Sequence, residues 1–178
     1  NDFFKTFLDD TMAYSSGYFE RDNDSLAQAS INKFDRLCEK LQIHAGDHLL
    51  EIGSGWGGFA CHAAKKYGCR VTTVTISREQ LAITRQRIHD EGLEDRVSAK
   101  FCDYRDIEGK FSKIASIEMI EAVGHQYYPT FFKQCMHLLQ EDGLLGLQAI
   151  TIRDQHYHFA RRNVDFIKRY IFPGGCLP

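Results

Sequence analysis

The chain has 178 residues, of which 43% are hydrophobic and 26% are charged, and its formal net charge at pH 7 is −2. This length and composition are typical of one soluble globular domain with a hydrophobic core of its own. The weak negative charge gives no support for nucleic-acid binding, and the lack of any apolar run near ~18 residues excludes a membrane-spanning helix in this sequence.

The six cysteines show no metal-site spacing, because none stand in a C-x-x-C pair and no histidine cluster accompanies them. They lie in apolar or mixed segments, which is typical of reduced, buried thiols and predicts a cytoplasmic protein. The chain begins without methionine and ends at Pro178 without a polar tail, which indicates a fragment.

The N-terminal region is predicted to be a short helix followed by a loop. Residues 1–8 place four apolar side chains on one face, and this face either packs on the domain or serves as a lid or membrane-touching element. Residues 11–21, TMAYSSGYFER, show no periodicity and are predicted to form a loop. A helix follows over residues 25–41, with Asp22 or Asp24 as its cap.

Strands and helices then alternate, which predicts βαβ units and a doubly wound, mostly parallel sheet. Ser77 and Gln80 form a capping-box pattern at the start of one of these helices. The predicted strands cover residues 48–53, 70–76, 96–102, 113–119 and 143–151, and the predicted helices cover residues 57–67, 78–91, 127–140 and 156–171.

The stretch LEIGSGWGG, residues 50–58, fits two different ligand loops. It satisfies the dinucleotide pattern G-x-G-x-x-G, but the second strand ends in Thr75-Ile76-Ser77 and lacks the acid that a ribose requires. It also satisfies acid-x-G-x-G-x-G. Because Glu51 would repel a pyrophosphate but attract an ammonium group, the loop favours S-adenosylmethionine (SAM). The alternative is that Glu51 only ties the loop N–H groups together.

Six stretches extend this pattern along the chain: MAYSSGYFE, LEIGSGWGG, VTISREQ, DYRDI, EMIEAVGHQYY and DFIKRYIFPGGCLP. With them the sequence resembles the cyclopropane fatty acid synthase family of SAM-dependent methyltransferases, which includes the mycolic acid cyclopropane synthases. The resemblance implies a Rossmann-like class I fold. It also implies that residues 1–24 form an N-terminal helix and cofactor-covering loop, that residues 25–178 form the methyltransferase domain, and that the family domain continues beyond this chain.

The resemblance implies cofactor contacts at twelve positions. One group lies around the methionine part, a second binds the adenosine part, and a third flanks the adenine. For Gln80 a purely structural capping role is the alternative, and for Tyr104 it is packing at a strand end. The implied cofactor-binding residues are Tyr14, Ser15, Glu51, Gly53, Gly55, Gly57, Thr75, Ile76, Gln80, Tyr104, Arg105 and Glu118.

The resemblance also implies the chemistry of the reaction. In this family an alkene attacks the SAM methyl group, and a bicarbonate or carbonate ion removes a proton so that a ring closes. Glu121 matches the carboxylate that binds this ion, and Ile150 matches a backbone donor to it. Ser16 and Gln148 replace a Cys and a His of the better-known pattern. Both retain hydrogen bonding, but Gln148 cannot titrate.

The implied function is SAM-dependent formation of cyclopropane rings on unsaturated acyl chains of membrane phospholipids, with peripheral membrane contact; a homodimer is left open. Four alternatives remain. These are a fatty-acid methyltransferase that leaves a methyl or methylene branch, an amine N-methyltransferase, a SAM-binding module without catalysis, and a nicotinamide oxidoreductase. Arg161, Arg162, Lys168 and Arg169 either meet lipid phosphates or form a solvated face.

Overall fold

The computed structural model describes residues 2–178, so Asn1, the first residue of the predicted N-terminal helix, lies outside the described residues. Within that range the helices are α1 (Asp2–Lys5), α2 (Leu26–Lys40), α3 (Gly58–Tyr67), α4 (Arg78–Asp90), α5 (Tyr128–Leu138) and α6 (Asp154–Arg162). The strands are β1 (His48–Ile52), β2 (Arg70–Thr75), β3 (Val97–Phe101), β4 (Phe111–Ile117) and β5 (Leu139–Gln148). None of these described helices is long and apolar enough to cross a bilayer.

The five strands form one parallel sheet in the order β3-β2-β1-β4-β5, so the predicted doubly wound α/β fold is confirmed. The central strands are apolar because helices cover both faces of a parallel sheet. Phe34 and Phe59 pack against one face, and Phe131 packs against the other. The register places Glu51 of β1 directly opposite Thr73 of β2.

The helix ends are set by local polar contacts. Ser25, not Asp22 or Asp24, caps α2 by accepting from the Gln28 N–H. Ser77 caps α4 as predicted, since its hydroxyl accepts from the Gln80 N–H at 3.2 Å. The second half of the predicted capping box does not form, because the Gln80 side chain bonds elsewhere.

The prediction of one helix over residues 156–171 is wrong. Helix α6 ends at Arg162, residues 163–165 are not helical, and a separate π-helical turn covers Ile167–Ile171. Asp165 starts this turn by accepting from the Lys168 N–H at 2.8 Å. The Lys168 ammonium donates to the carbonyls of Ala160 and Asn163, so it stabilises the end of α6 rather than facing a lipid phosphate.

Strand β5 begins earlier than predicted. It starts at Leu139, directly after α5, and ends at Gln148, whereas residues 143–151 were expected. The polar stretch QEDG, residues 140–143, is accommodated by a register shift between Phe111 and Lys113 of the neighbouring strand β4. The Lys110 ammonium donates to the carbonyls at positions 137 and 139, which fixes the end of α5 against β4.

Candidate cofactor and active site

The candidate site lies where the sheet topology reverses. Along the chain β1 is followed by β2 and β3 on one side, and β4 with β5 lies on the other side of β1. Ligands of doubly wound folds bind at the carboxyl ends of the strands beside such a switch point. The glycine loop follows β1 and the segment Glu118–Glu121 follows β4, so the fold places both beside one crevice.

The glycine loop has a backbone conformation that residues with a side chain rarely adopt. The φ angles of Gly53, Gly55 and Gly57 are 97°, 49° and 85°, all in the region that favours glycine. A Cβ atom built at Gly55 meets only the Tyr14 ring, at 3.9 Å, whereas one built at Gly57 lies 3.0 Å from Thr84 Cγ2. Gly55 therefore leaves room for a ligand, while Gly57 allows α3 to approach α4.

Glu51 forms part of the pocket wall together with this loop. Its side chain is 2% exposed, and its Oε2 atom accepts from the Thr73 hydroxyl at 2.5 Å. Burial raises the pKa of Glu51 to about 8, and the Thr73 hydrogen bond opposes this shift only partly. The N–H groups of Gly53 and Ser54 donate to Val74 O, so Glu51 does not tie the loop together. A buried carboxylate beside an open glycine loop fits the ammonium end of SAM.

The N-terminal segment lies over the glycine loop. Residues 11–15 line the same pocket, and the Phe4 ring packs on the rings of Tyr14 and Trp56 at centroid distances of 6.1 and 6.3 Å. Lys33, only 4% exposed, donates from its ammonium to the Ser15 hydroxyl at 2.6 Å. Lys33 was not among the site residues predicted from the sequence. Its signal was a lysine on the apolar face of a helix.

The predicted adenosine-binding residues lie together after β2. The Thr75 hydroxyl donates to Gln80 Oε1 at 2.9 Å and accepts from the Ser77 N–H at 3.1 Å. The Ile76 side chain is 70% exposed, as an apolar surface for a base would be. The Gln80 amide nitrogen makes no hydrogen bond within the described residues, so it is free to act as a donor to a ligand.

Tyr104 and Arg105 have protein partners of their own. The Tyr104 ring packs edge-on against Phe131 at 5.5 Å, as the strand-end alternative predicts. The Arg105 guanidinium donates to both carboxylate oxygens of Asp103, at 2.9 and 2.7 Å, and holds the pKa of that carboxyl below its usual range. Contact between these two residues and adenine stays a prediction.

Glu118 is the centre of a hydrogen-bonded cluster at the end of β4. Its Oε1 atom accepts from the Ser16 N–H at 3.0 Å, from the Ser16 hydroxyl at 2.7 Å and from Gln148 Nε2 at 2.8 Å. Its backbone N–H donates to Gln148 O at 2.8 Å. Two residues predicted to hold an anion beside Glu121 are therefore bonded to Glu118.

Glu121 stands in the short helical turn Ile120–Ala122 that follows Glu118. Its Oε1 atom accepts from the Ile150 N–H at 2.6 Å, whereas its Oε2 atom is buried without a hydrogen-bond partner in the described structure. The Cys176 N–H donates to Glu121 O at 2.7 Å, and the Tyr128 hydroxyl donates to Cys176 O at 2.8 Å. The C-terminal segment thus packs against this turn.

The residues present do not fit the bicarbonate or carbonate ion in the predicted way. Both Ser16 donors and one N–H of the Gln148 amide are used by Glu118, and the Ile150 N–H is used by Glu121. An added anion would face two carboxylates, and the one donor of this set not bonded to them is the second N–H of Gln148, whose Nε2 lies 3.5 Å from Ser16 Oγ. The prediction that Ser16, Gln148, Ile150 and Glu121 surround one anion is not met by this arrangement.

The fold is that of class I SAM-dependent methyltransferases. The solved mycolic acid cyclopropane synthase CmaA1, complexed with SAH and CTAB, is 34% identical with a TM-score of 0.90 over 99% of this chain and 65% of that chain. Coclaurine N-methyltransferase, bound to N-methylheliamine and SAH, is 28% identical with a TM-score of 0.81 over 99% of this chain and 52% of that one.

The chain belongs to the mycolic acid cyclopropane synthetase family, whose family model matches residues 1–178. A probable fatty acid methyltransferase of Pseudomonas putida is 42% identical over 181 residues, which are 100% of this chain and 46% of that protein. The cyclopropane-fatty-acyl-phospholipid synthase of Escherichia coli K12 is 40% identical, with 100% and 44% covered. The tuberculostearic acid methyltransferase UfaA1 of Mycobacterium tuberculosis is 40% identical, with 100% and 43% covered. The chain spans less than half the length of these curated relatives.

Proposed function

We propose that this chain is the cofactor-binding part of a SAM-dependent enzyme that converts cis double bonds of phospholipid acyl chains into cyclopropane rings. The observation that carries the proposal is the shared crevice. The glycine loop with buried Glu51 follows β1, and the carboxylates of Glu118 and Glu121 follow the adjacent strand β4. The pocket proposed to bind the cationic cofactor thus follows the strand next to the one that precedes the two acids, at the topological switch point.

Bound SAM would supply an electrophilic methyl group. In this proposal Glu51 faces its ammonium group, and Gly55 leaves room for its methionine part. Tyr14 covers the pocket from above, and Gln80 donates from its free amide to the ribose. The carbocation that forms when an alkene takes the methyl group must then lose a proton, and the carboxylates of Glu118 and Glu121 both follow β4 beside the pocket proposed for SAM.

The acceptor is proposed to be apolar because relatives at 40–42% identity are named for fatty acids or fatty acyl phospholipids, and the segment after β5 carries many large apolar side chains. These side chains suit contact with acyl chains and with a membrane surface, and they give a reason to test phospholipid vesicles first. The exposed residues of this segment include Phe159, Val164, Phe166, Ile167, Tyr170, Ile171 and Phe172.

Mass spectrometry of lipids from cells that express the full-length protein tests this proposal. The expected result is a gain of one CH₂ in unsaturated phospholipids with loss of the double bond, and cells with the empty vector serve as the control. Unchanged lipids in cells that contain folded, SAM-binding protein would contradict the proposal.

A fatty-acid C-methyltransferase that leaves a branch is the second candidate. It is favoured by two relatives, the fatty acid methyltransferase at 42% identity and the tuberculostearic acid methyltransferase at 40% identity. The same lipid spectra separate the two functions, because a methylene branch adds CH₂ while an alkene is retained.

A further inference from the structure

Glu118 has a backbone conformation that residues other than glycine rarely adopt. Its φ angle is 48°, in the left-handed region. The bond from its N–H to Gln148 O extends the pairing of β4 with β5 by one residue and fixes this conformation. Strained residues of this kind cluster at functional sites, where surrounding contacts hold them in place.

The side chain of Glu118 occupies the set of donors that the family resemblance gave to an anion. Three donors, two from Ser16 and one from Gln148, converge on a single carboxylate oxygen. Ser16 and Gln148 lie 102 and 30 positions from Glu118 in sequence, so the fold, not a local turn, brings them together. A neutral serine and a neutral glutamine suit one negative charge, which Glu118 already supplies.

We propose that Glu118 is a catalytic residue that takes the place of the small anion, so that this protein removes the proton with its own carboxylate. This inference rests on the proposed function. The alkene π pair bonds to the methyl carbon, and the C–S bond breaks with its electron pair passing to sulfur. A C–H bond of the new methyl group then breaks, its electron pair closes the ring, and the proton passes to Glu118.

Two substitutions of Glu118 distinguish a carboxylate that acts as the base from a bound ion that acts as the base. Glu118→Gly removes the carboxylate, frees the three donors and suits the positive φ angle, so this variant should fold. Glu118→Gln removes the charge but keeps the space filled. Gln42→Gly is the matched control, because Gln42 has a φ angle of 53° on an exposed turn away from the crevice.

Turnover of unsaturated phospholipid vesicles by the full-length protein is measured with saturating SAM in CO₂-free buffer, with and without added bicarbonate. Wild type and Gln42→Gly should not respond to bicarbonate. Glu118→Gly should lose about 10²–10⁴-fold in turnover and regain part of it with bicarbonate, whereas Glu118→Gln should lose turnover without recovery. SAM affinity, measured by calorimetry, should stay within a few-fold in both variants.

Line broadening of ¹³C-bicarbonate gives a second readout that does not depend on turnover. Glu118→Gly should bind the ion, and wild type should not. Bicarbonate binding or stimulation in wild type, wild-type turnover in Glu118→Gln, or no ion binding in Glu118→Gly would each overturn the inference. If wild type does not modify lipids at all, the proposed function fails, and the ion-binding comparison still decides the role of the donors.

Discussion

Substitution of Glu51 by Gln should remove one pH-dependent part of the stability of the SAM-free protein. Burial raises the pKa of Glu51 from 4.5 to about 8. Between these two values the folded state binds more protons than the unfolded state, so stability falls as the pH rises, and it levels off above about pH 8. The slope is ~1.4 kcal/mol per pH unit. From about pH 4.5, the unfolding free energy of the wild type therefore falls by about 2 kcal/mol by pH 6 and by about 5 kcal/mol by pH 9.

The difference in unfolding free energy between Glu51→Gln and wild type should therefore shift by about 3 kcal/mol in favour of the variant between pH 6 and pH 9. Urea unfolding of both proteins at several pH values measures this difference in unfolding free energy. Other titrating groups contribute equally to both proteins and cancel in the difference; one of them is Lys33, whose pKa is lowered to about 8 by burial. Glu141→Gln, at an exposed position, is the control and should show no shift. A pH-independent difference for Glu51→Gln would refute the reasoning.

Three further substitutions test the site. Gly55→Val should abolish SAM binding in calorimetry because the valine side chain fills the ligand space. The control Gly92→Val should only lower stability, because Gly92 has a φ of 63° and a Cβ built there meets no atom within 4 Å. Unchanged SAM affinity of Gly55→Val would show that the glycine loop does not bind SAM. Gln80→Ala should weaken SAM binding by about 1–2 kcal/mol, and a lower Tm with unchanged affinity would show a structural role only. Glu121→Gln should keep SAM affinity but lower kcat by at least about 10²-fold, and wild-type kcat would end its assignment.

The cofactor loop could be predicted from the sequence because its chemistry is local. The strand, Glu51 and the three loop glycines follow one another within residues 48–57, and their backbone requirements are visible in residue type. The parallel sheet could also be predicted, because alternating strand and helix patterns are typical of it. The end of helix α6 could not be predicted, because it depends on two contacts of Lys168. Its N–H donates to the Asp165 carboxylate, and its ammonium donates back to the Asn163 carbonyl.

The cluster around Glu118 could not be predicted by spacing. Gln148 and Ser16 are 132 residues apart, and their contact with Glu118 depends on how β5 and the N-terminal segment meet the end of β4. The resemblance named all three residues but assigned them to different partners. Which carboxylate a neutral donor contacts is decided by side-chain geometry in the folded protein, which residue types and spacing do not specify.

Transfer from methyl-deuterated SAM to unsaturated phospholipid vesicles tests the central claim most directly. The full-length protein is incubated with both, and the acyl chains are analysed by mass spectrometry. Because the proposed reaction bonds the methyl group to carbon and then removes one of its protons, the product should carry two of the three deuterons on a new carbon of the acyl chain. Retention of all three deuterons, or label on a nitrogen atom of the lipid headgroup, would contradict the account.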